Sequence, residues 1–159
     1  MTEIKRRRFL GWIGAAPFLL HSQSGLATSS VFSSAAMQRF SSASQGVEGQ
    51  FYLHLFDGRG QELIRHTLPG RAHQVTPHPH KPWLFAVSRR PGTRIDVLDY
   101  QTGTWVTQIT CADGYHLYGH AQISANGRYL LTTEKSSRHE DGRVVIRDIT
   151  EHFNIVEEY

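Results

Sequence analysis

The side chains with the widest chemical reach in this chain are imidazoles. Histidine occurs ten times, and His73 and His120 fall at matching points of two similar stretches, each at the expected start of a first strand. Two imidazoles brought together can bind a divalent metal, a carboxylate or a polar partner. The plainer alternative is that each one hydrogen-bonds within its own repeat and holds a loop. Short Cys/His spacings of the kind that mark zinc or iron sites do not occur. A metal or iron cofactor therefore has no motif behind it, and His73 and His120 are its only candidates. Arg89 and Arg90 precede Pro91-Gly92 and offer a clamp for an anion. With His116 and Glu134, these residues make up the set of partner- or ligand-binding candidates. Glu134 stands beside Lys135, where an exposed ion pair is the simpler expectation. His78 and His80 flank Pro79, and His139-Glu140-Asp141 form a cluster; both groups suit a surface ion or a solvated loop.

Enzyme templates fit poorly. The sequence has no Gly-x-Ser-x-Gly elbow, His-Glu-x-x-His pair, phosphate loop or dinucleotide fingerprint. Ser124 and His120 supply a nucleophile and a base by type, but four residues along a strand separates them by ~13 Å. Cys111 is the single cysteine, so it has no internal disulfide partner and is expected to pack at a strand end.

These residues must be positioned by strands. From Phe51 onward, short alternating or apolar runs are separated by turn residues, with no helical periodicity. Phe51 to Phe56 and Glu62 to Leu68 predict a hairpin around Asp57-Gly58-Arg59-Gly60. His73 to Thr76, Trp83 to Ser88, Ile95 to Asp99 and Thr104 to Thr110 form one group of four strands. His120 to Ser124, Tyr129 to Glu134, Val144 to Ile149 and Phe153 to Val156 form another. The groups repeat one another, with Pro79 to Phe85 lying over Ala125 to Leu131 and Asp99 over Asp148. Four strands in a period of roughly 40–50 residues is the signature of a β-propeller blade. The hairpin matches the third and fourth strands of a blade, since Leu55-Phe56-Asp57 parallels Val97-Leu98-Asp99. The expected fold is all-β: a partial, truncated β-propeller of about two and a half four-stranded blades. A ten-stranded β-sandwich fits the strand spacing almost as well.

Ahead of the fold, Arg6-Arg7-Arg8-Phe9-Leu10 opens an apolar run that ends at Leu20. A basic head, a short apolar middle and small residues beyond it predict an export signal. Arg6, Arg7, Phe9 and Leu10 match a twin-arginine pattern; a general-secretory signal is the alternative. The run falls short of the ~20 residues needed to cross a bilayer, so no permanent membrane anchor is expected. Cleavage after Ala27, Ala35 or Ala36 suits the small residues there. The expected organisation is a signal peptide at 1–27, a Ser/Ala-rich linker at 28–48 and the propeller domain at 49–159. The formal charge of +3 lies in Lys5, Arg6, Arg7 and Arg8 set against Glu3, so the remainder is near neutral and nucleic-acid binding is disfavoured.

Ser88-Arg89-Arg90-Pro91-Gly92-Thr93, Tyr118-Gly119-His120 and Ser124 to Glu134 together resemble a family of exported bacterial proteins known only as domain of unknown function fifteen-thirteen. The resemblance covers Gly49 to about Asp148, roughly the N-terminal third of a member. It departs at Ala121, at Ala125-Asn126 and at Lys135-Ser136. The resemblance implies a seven-bladed propeller, export to the periplasm, and genes beside imelysin-type iron-uptake lipoproteins and haem-containing peroxidase-like proteins. The expected function is that of a periplasmic binding or scaffold protein linked to iron acquisition. It would engage the twin-arginine translocase during export and a periplasmic protein partner afterwards. The alternative is a metal-dependent periplasmic enzyme whose site draws on further blades.

Overall fold

The computed structural model describes residues 38–159. The expected signal peptide, with Arg6, Arg7, Phe9 and Leu10, lies outside the described residues. Among the described residues there are eleven strands and no helix. The first sheet contains β1 (Arg39–Gln45), β2 (Phe51–Asp57) and β3 (Glu62–Leu68). The second contains β4 (Ala72–Pro77), β5 (Trp83–Ser88), β6 (Arg94–Asp99) and β7 (Thr104–Thr110). The third contains β8 (Tyr115–Ile123), β9 (Tyr129–Ser136), β10 (Gly142–Asp148) and β11 (Asn154–Glu158). Each sheet is an antiparallel meander whose neighbours in sequence are neighbours in space.

The strand alternation explains how the sheets stack. In β5, Leu84 and Ala86 enter one core with Leu53, Leu55, Leu68 and Leu98. Phe85 and Val87 point the other way, into a second core with Ile95, Val97, Leu117, Ile123 and Leu130. The middle sheet is thus buried on both faces, which is why Leu84-Phe85-Ala86-Val87 reads as a continuous apolar run. Each fully buried Leu, Ile or Phe contributes about 1.5–3 kcal/mol over its exposed state. Three sheets in series, with a core between each successive pair, exclude the two-layered sandwich and give the β-propeller arrangement.

Two expectations are corrected. Arg39–Gln45, placed by sequence within the 28–48 linker, is a strand paired along its whole length with β2. Its Ser-rich composition hid it, because six of its seven residues are exposed and carry no apolar periodicity. Among the described residues the first blade therefore has three strands rather than a hairpin alone. The strand holding His120 also begins earlier, at Tyr115.

The repeated aspartates shape equivalent corners. Asp57 accepts hydrogen bonds from the Arg59 and Gln61 amides, Asp99 from those of Gln101 and Thr102, and Asp148 from that of Thr150. Each carboxylate closes the turn out of the third blade strand.

His78 and His80 clasp the second sheet to the third. The His78 Nδ1 accepts the His80 and Lys81 amides at 3.0 and 2.9 Å. Its Nε2–H is thereby left to donate to the Gly127 carbonyl at 2.9 Å, and His80 Nε2 donates to Ala125 at 3.0 Å. This occupies both ring nitrogens of His78 and one of the two on His80. Burial lowers the pKa of His78, and that of His66 likewise. The unfolded chain therefore takes up protons more readily than the fold, and stability falls as pH drops below the ordinary imidazole value of about 6.5. The melting temperature should decrease between pH 7.5 and pH 5, and His78→Gln should flatten that slope; an unchanged slope contradicts the assignment.

Candidate functional site

A cleft of about 610 Å³ runs along the edge of β1 that has no partner strand among the described residues, and it is walled on its far side by Arg71, Ala72, His73, Val75 and Arg89. Two features of the second sheet build this wall. The Arg89 amide donates to the Arg71 carbonyl at 2.8 Å, which holds the two arginines side by side in the chain ladder. His73 sits where the β4–β5 register slips between Ala72 and Gln74. A bulge of this kind frees a residue from its partner and re-aims its side chain.

His120 occupies the matching irregularity of the third sheet, where the β8–β9 ladder breaks between Leu117 and Ala121. The two imidazoles meet edge to face, with ring centroids 5.3 Å apart and planes at 84°. Gly119 makes the approach possible. Its φ is +100°, and a Cβ there would come within 2.7 Å of the His73 ring. The neighbouring Gln74 fixes the strand spacing. Its amide nitrogen donates to the Ala121 carbonyl at 2.9 Å, and its oxygen accepts the Ala121 amide at 3.1 Å. His73 therefore meets His120 across the inner strands and shares the wall of the cleft with Arg89. Arg71 was missed by sequence because its role depends on pairing with Arg89 across strands.

The other candidates disperse. The Arg90 guanidinium lies 4.4 Å over the ring of Tyr118 rather than facing the cleft. His116 rests near the Ser137 hydroxyl at 3.4 Å, at an exposed sheet end. Lys135 pairs with Glu140 at 2.6 Å. Among the described residues no three His, Cys, Asp or Glu side chains gather as a metal site. Ser124 donates to Asn126 and accepts the Tyr129 amide, so it shapes a turn.

Glu134 overturns its sequence expectation. It is not a surface partner of Lys135 but is buried, with a side chain 0% exposed between Arg143 and Arg147. Burial opposes its ionisation, yet hydrogen bonds from Arg143 and Arg147 outweigh burial and hold its pKa below the usual carboxylate value. Both arginines come from β10, two strand positions either side of the apolar Val145, and sequence alternation alone did not show that they face inward. Cys111 is buried in the second core, and its thiol is pushed up to about 12 by burial and by Glu134. It is unreactive at neutral pH.

Residues 66–159 match a family model described as "Protein of unknown function (DUF1513)". No curated protein matches the chain. A solved structure described as "Dihydro-heme d1 dehydrogenase NirN in complex with DHE" is similar in fold, with a TM-score of 0.56 and 17% identity. The match covers 74% of this chain and 27% of that one. At that identity the similarity speaks to architecture alone, and it is a β-propeller-like architecture.

Proposed function

The chain belongs to the family of proteins of unknown function DUF1513, and from that premise we propose that it is an exported β-propeller binding an anionic, iron-bearing ligand or partner in the Arg71–His73–Arg89 cleft. The observation that carries this reading is the charge of the cleft. Arg71, His73 and Arg89 line it, and among the described residues no carboxylate does. Guanidinium groups hold carboxylates in forked, charge-assisted hydrogen bonds, and a wall of one sign concentrates the opposite sign. Export to the periplasm is supported by the Arg6-Arg7 head and the apolar run to Leu20. Iron acquisition rests on the resemblance carried by Ser88 to Thr93, Tyr118 to His120 and Ser124 to Glu134, which implies genes beside imelysin-type iron-uptake lipoproteins.

Calorimetric titration with citrate and with ferric citrate tests the proposal. Both should bind, ferric citrate more tightly, and the double variant Arg71→Gln/Arg89→Gln should lose at least tenfold in affinity. Equal heats for wild type and variant overturn the cleft assignment, and equal affinity for the two probes removes iron. The contact between His73 and His120 favours a second reading, in which the pair supplies two ligands of a metal centre completed by other parts of the protein. Stoichiometric iron, copper or zinc that is lost on His73→Ala and on His120→Ala selects this reading.

A further inference from the structure

Three residues outside the Arg71–His73–Arg89 set meet on the first sheet, and one of them, Ser44, lines the same cleft, so the charge of the substrate rests on that reading. Ser44 Oγ lies 2.7 Å from His54 Nε2, and His54 Nδ1 lies 2.5 Å from Glu62 Oε1. They come from three adjacent strands, β1, β2 and β3. We propose that Ser44, His54 and Glu62 form a hydrolytic site in which Ser44 is the nucleophile, with carboxylic esters that carry a negative charge as the substrate class.

The connectivity is that of an activated serine. An ionised Glu62 can only accept, so Nδ1 bears the proton, and in the neutral ring Nε2 is left with a lone pair toward the Ser44 hydroxyl. Hydrogen bonds from Arg65 and then His54 lower the pKa of Glu62 and keep it ionised. Arg65 contacts it at 3.1 and 2.9 Å. The imidazole is stacked on Phe56 at 5.7 Å and tilted against Tyr52 at 6.0 Å, which fixes its plane. Its side chain is 11% exposed, whereas Ser44 is exposed and also lines the wall of the cleft. Among the described residues β1 is an edge strand, so alternate main-chain N–H groups along it face away from β2. These are available to a developing oxyanion. Arg71 and Arg89 across the cleft select for negative charge on the ester.

The chemistry balances with water alone. Ser44 Oγ bonds to the ester carbonyl carbon as its proton passes to His54 Nε2. The tetrahedral intermediate collapses, the ester C–O bond breaks, and the departing alcohol takes that proton from Nε2. Water then attacks the acyl-Ser44 carbonyl and gives a proton to Nε2. That proton returns to Ser44 Oγ as the carboxylic acid leaves.

Diisopropyl fluorophosphate labelling followed by peptide mass spectrometry gives the first readout, and it does not depend on the identity of the ligand in the cleft. One adduct per chain is expected, on Ser44, and none in His54→Gln. The second readout is hydrolysis of the 4-nitrophenyl monoester of succinate compared with 4-nitrophenyl acetate. Wild type should exceed Ser44→Ala by at least 100-fold and prefer the succinate ester. Glu62→Gln should lower kcat at least tenfold with KM little changed. Ser44→Ala removes one exposed hydroxyl, so its melting temperature should match wild type. An unlabelled Ser44 in folded wild-type protein overturns the proposal even if the His54 variant does not fold. Hydrolysis that persists in Ser44→Ala overturns it equally.

Discussion

Glu134→Ala is expected to cost about 3–5 kcal/mol of stability, because it strips a buried ion network of its only central anion. In the wild-type fold Glu134 Oε1 accepts from Arg147 at 2.7 Å and from Thr132 at 3.2 Å. Its Oε2 accepts from Arg143 at 2.8 and 3.2 Å. Arg143 has a second carboxylate, Glu158, at 2.8 Å, and its guanidinium covers the Tyr115 ring at 3.5 Å. Arg147 has no such reserve. Its side chain is 3% exposed, and without Glu134 it would retain, among the described residues, only the Thr132 hydroxyl at 2.7 Å. An unpaired buried guanidinium is the costly product, rather than the lost attraction itself. The melting temperature should fall by roughly 10–20 °C at that cost. Glu134→Gln should recover part of it by keeping the shape. A loss below about 1 kcal/mol for Glu134→Ala would show that water reaches Arg147. The sign with pH follows from the lowered pKa of Glu134. Its contribution is present in full above the ordinary carboxylate value and is lost as pH falls through the depressed one.

Gly127→Ala has the second large effect, about 2–5 kcal/mol, from two sources that a control variant separates. Gly127 has φ +72°, where an L-residue costs roughly 1–2 kcal/mol. A Cβ there would also stand 2.6 Å from His78 Cε1 and 3.1 Å from His80 Cδ2. The His78 ring cannot yield, since it is pinned on both nitrogens by His80, Lys81 and Gly127. Such overpacking adds about 1–3 kcal/mol. Gly103 has a similar φ of +70° but nothing within 4 Å of its added Cβ. Gly103→Ala should therefore show the backbone cost alone. Equal denaturation midpoints for the two variants would mean that the clasp gives way without penalty.

Much of the fold was legible in the chain because its strands obey simple alternation. The apolar runs at Trp83 to Ser88 and Ile95 to Asp99, and the aspartates at 57, 99 and 148, mark period and register by themselves. Arg39–Gln45 escaped notice for the opposite reason: an exposed edge strand has no buried face to write a pattern into its sequence. The site was legible only as far as the repeat could carry it. Aligning His73 with His120 anticipated their meeting, because equivalent residues on neighbouring inner strands converge. Glu134 was misplaced because the partners that bury it, Arg143 and Arg147, lie across a long loop and on the next strand. Ser44, His54 and Glu62 show no diagnostic spacing, since three strands and a bulge set their geometry.

The two-faced burial of the middle sheet restricts how this chain can vary over time. A change of volume at Leu84 or Ala86 is felt against the first sheet, and one at Phe85 or Val87 against the third. Successive positions on one strand thus answer to different neighbours. Substitutions there must be accommodated on two fronts at once, and drift in this segment should be slow compared with that of the outward-facing β11.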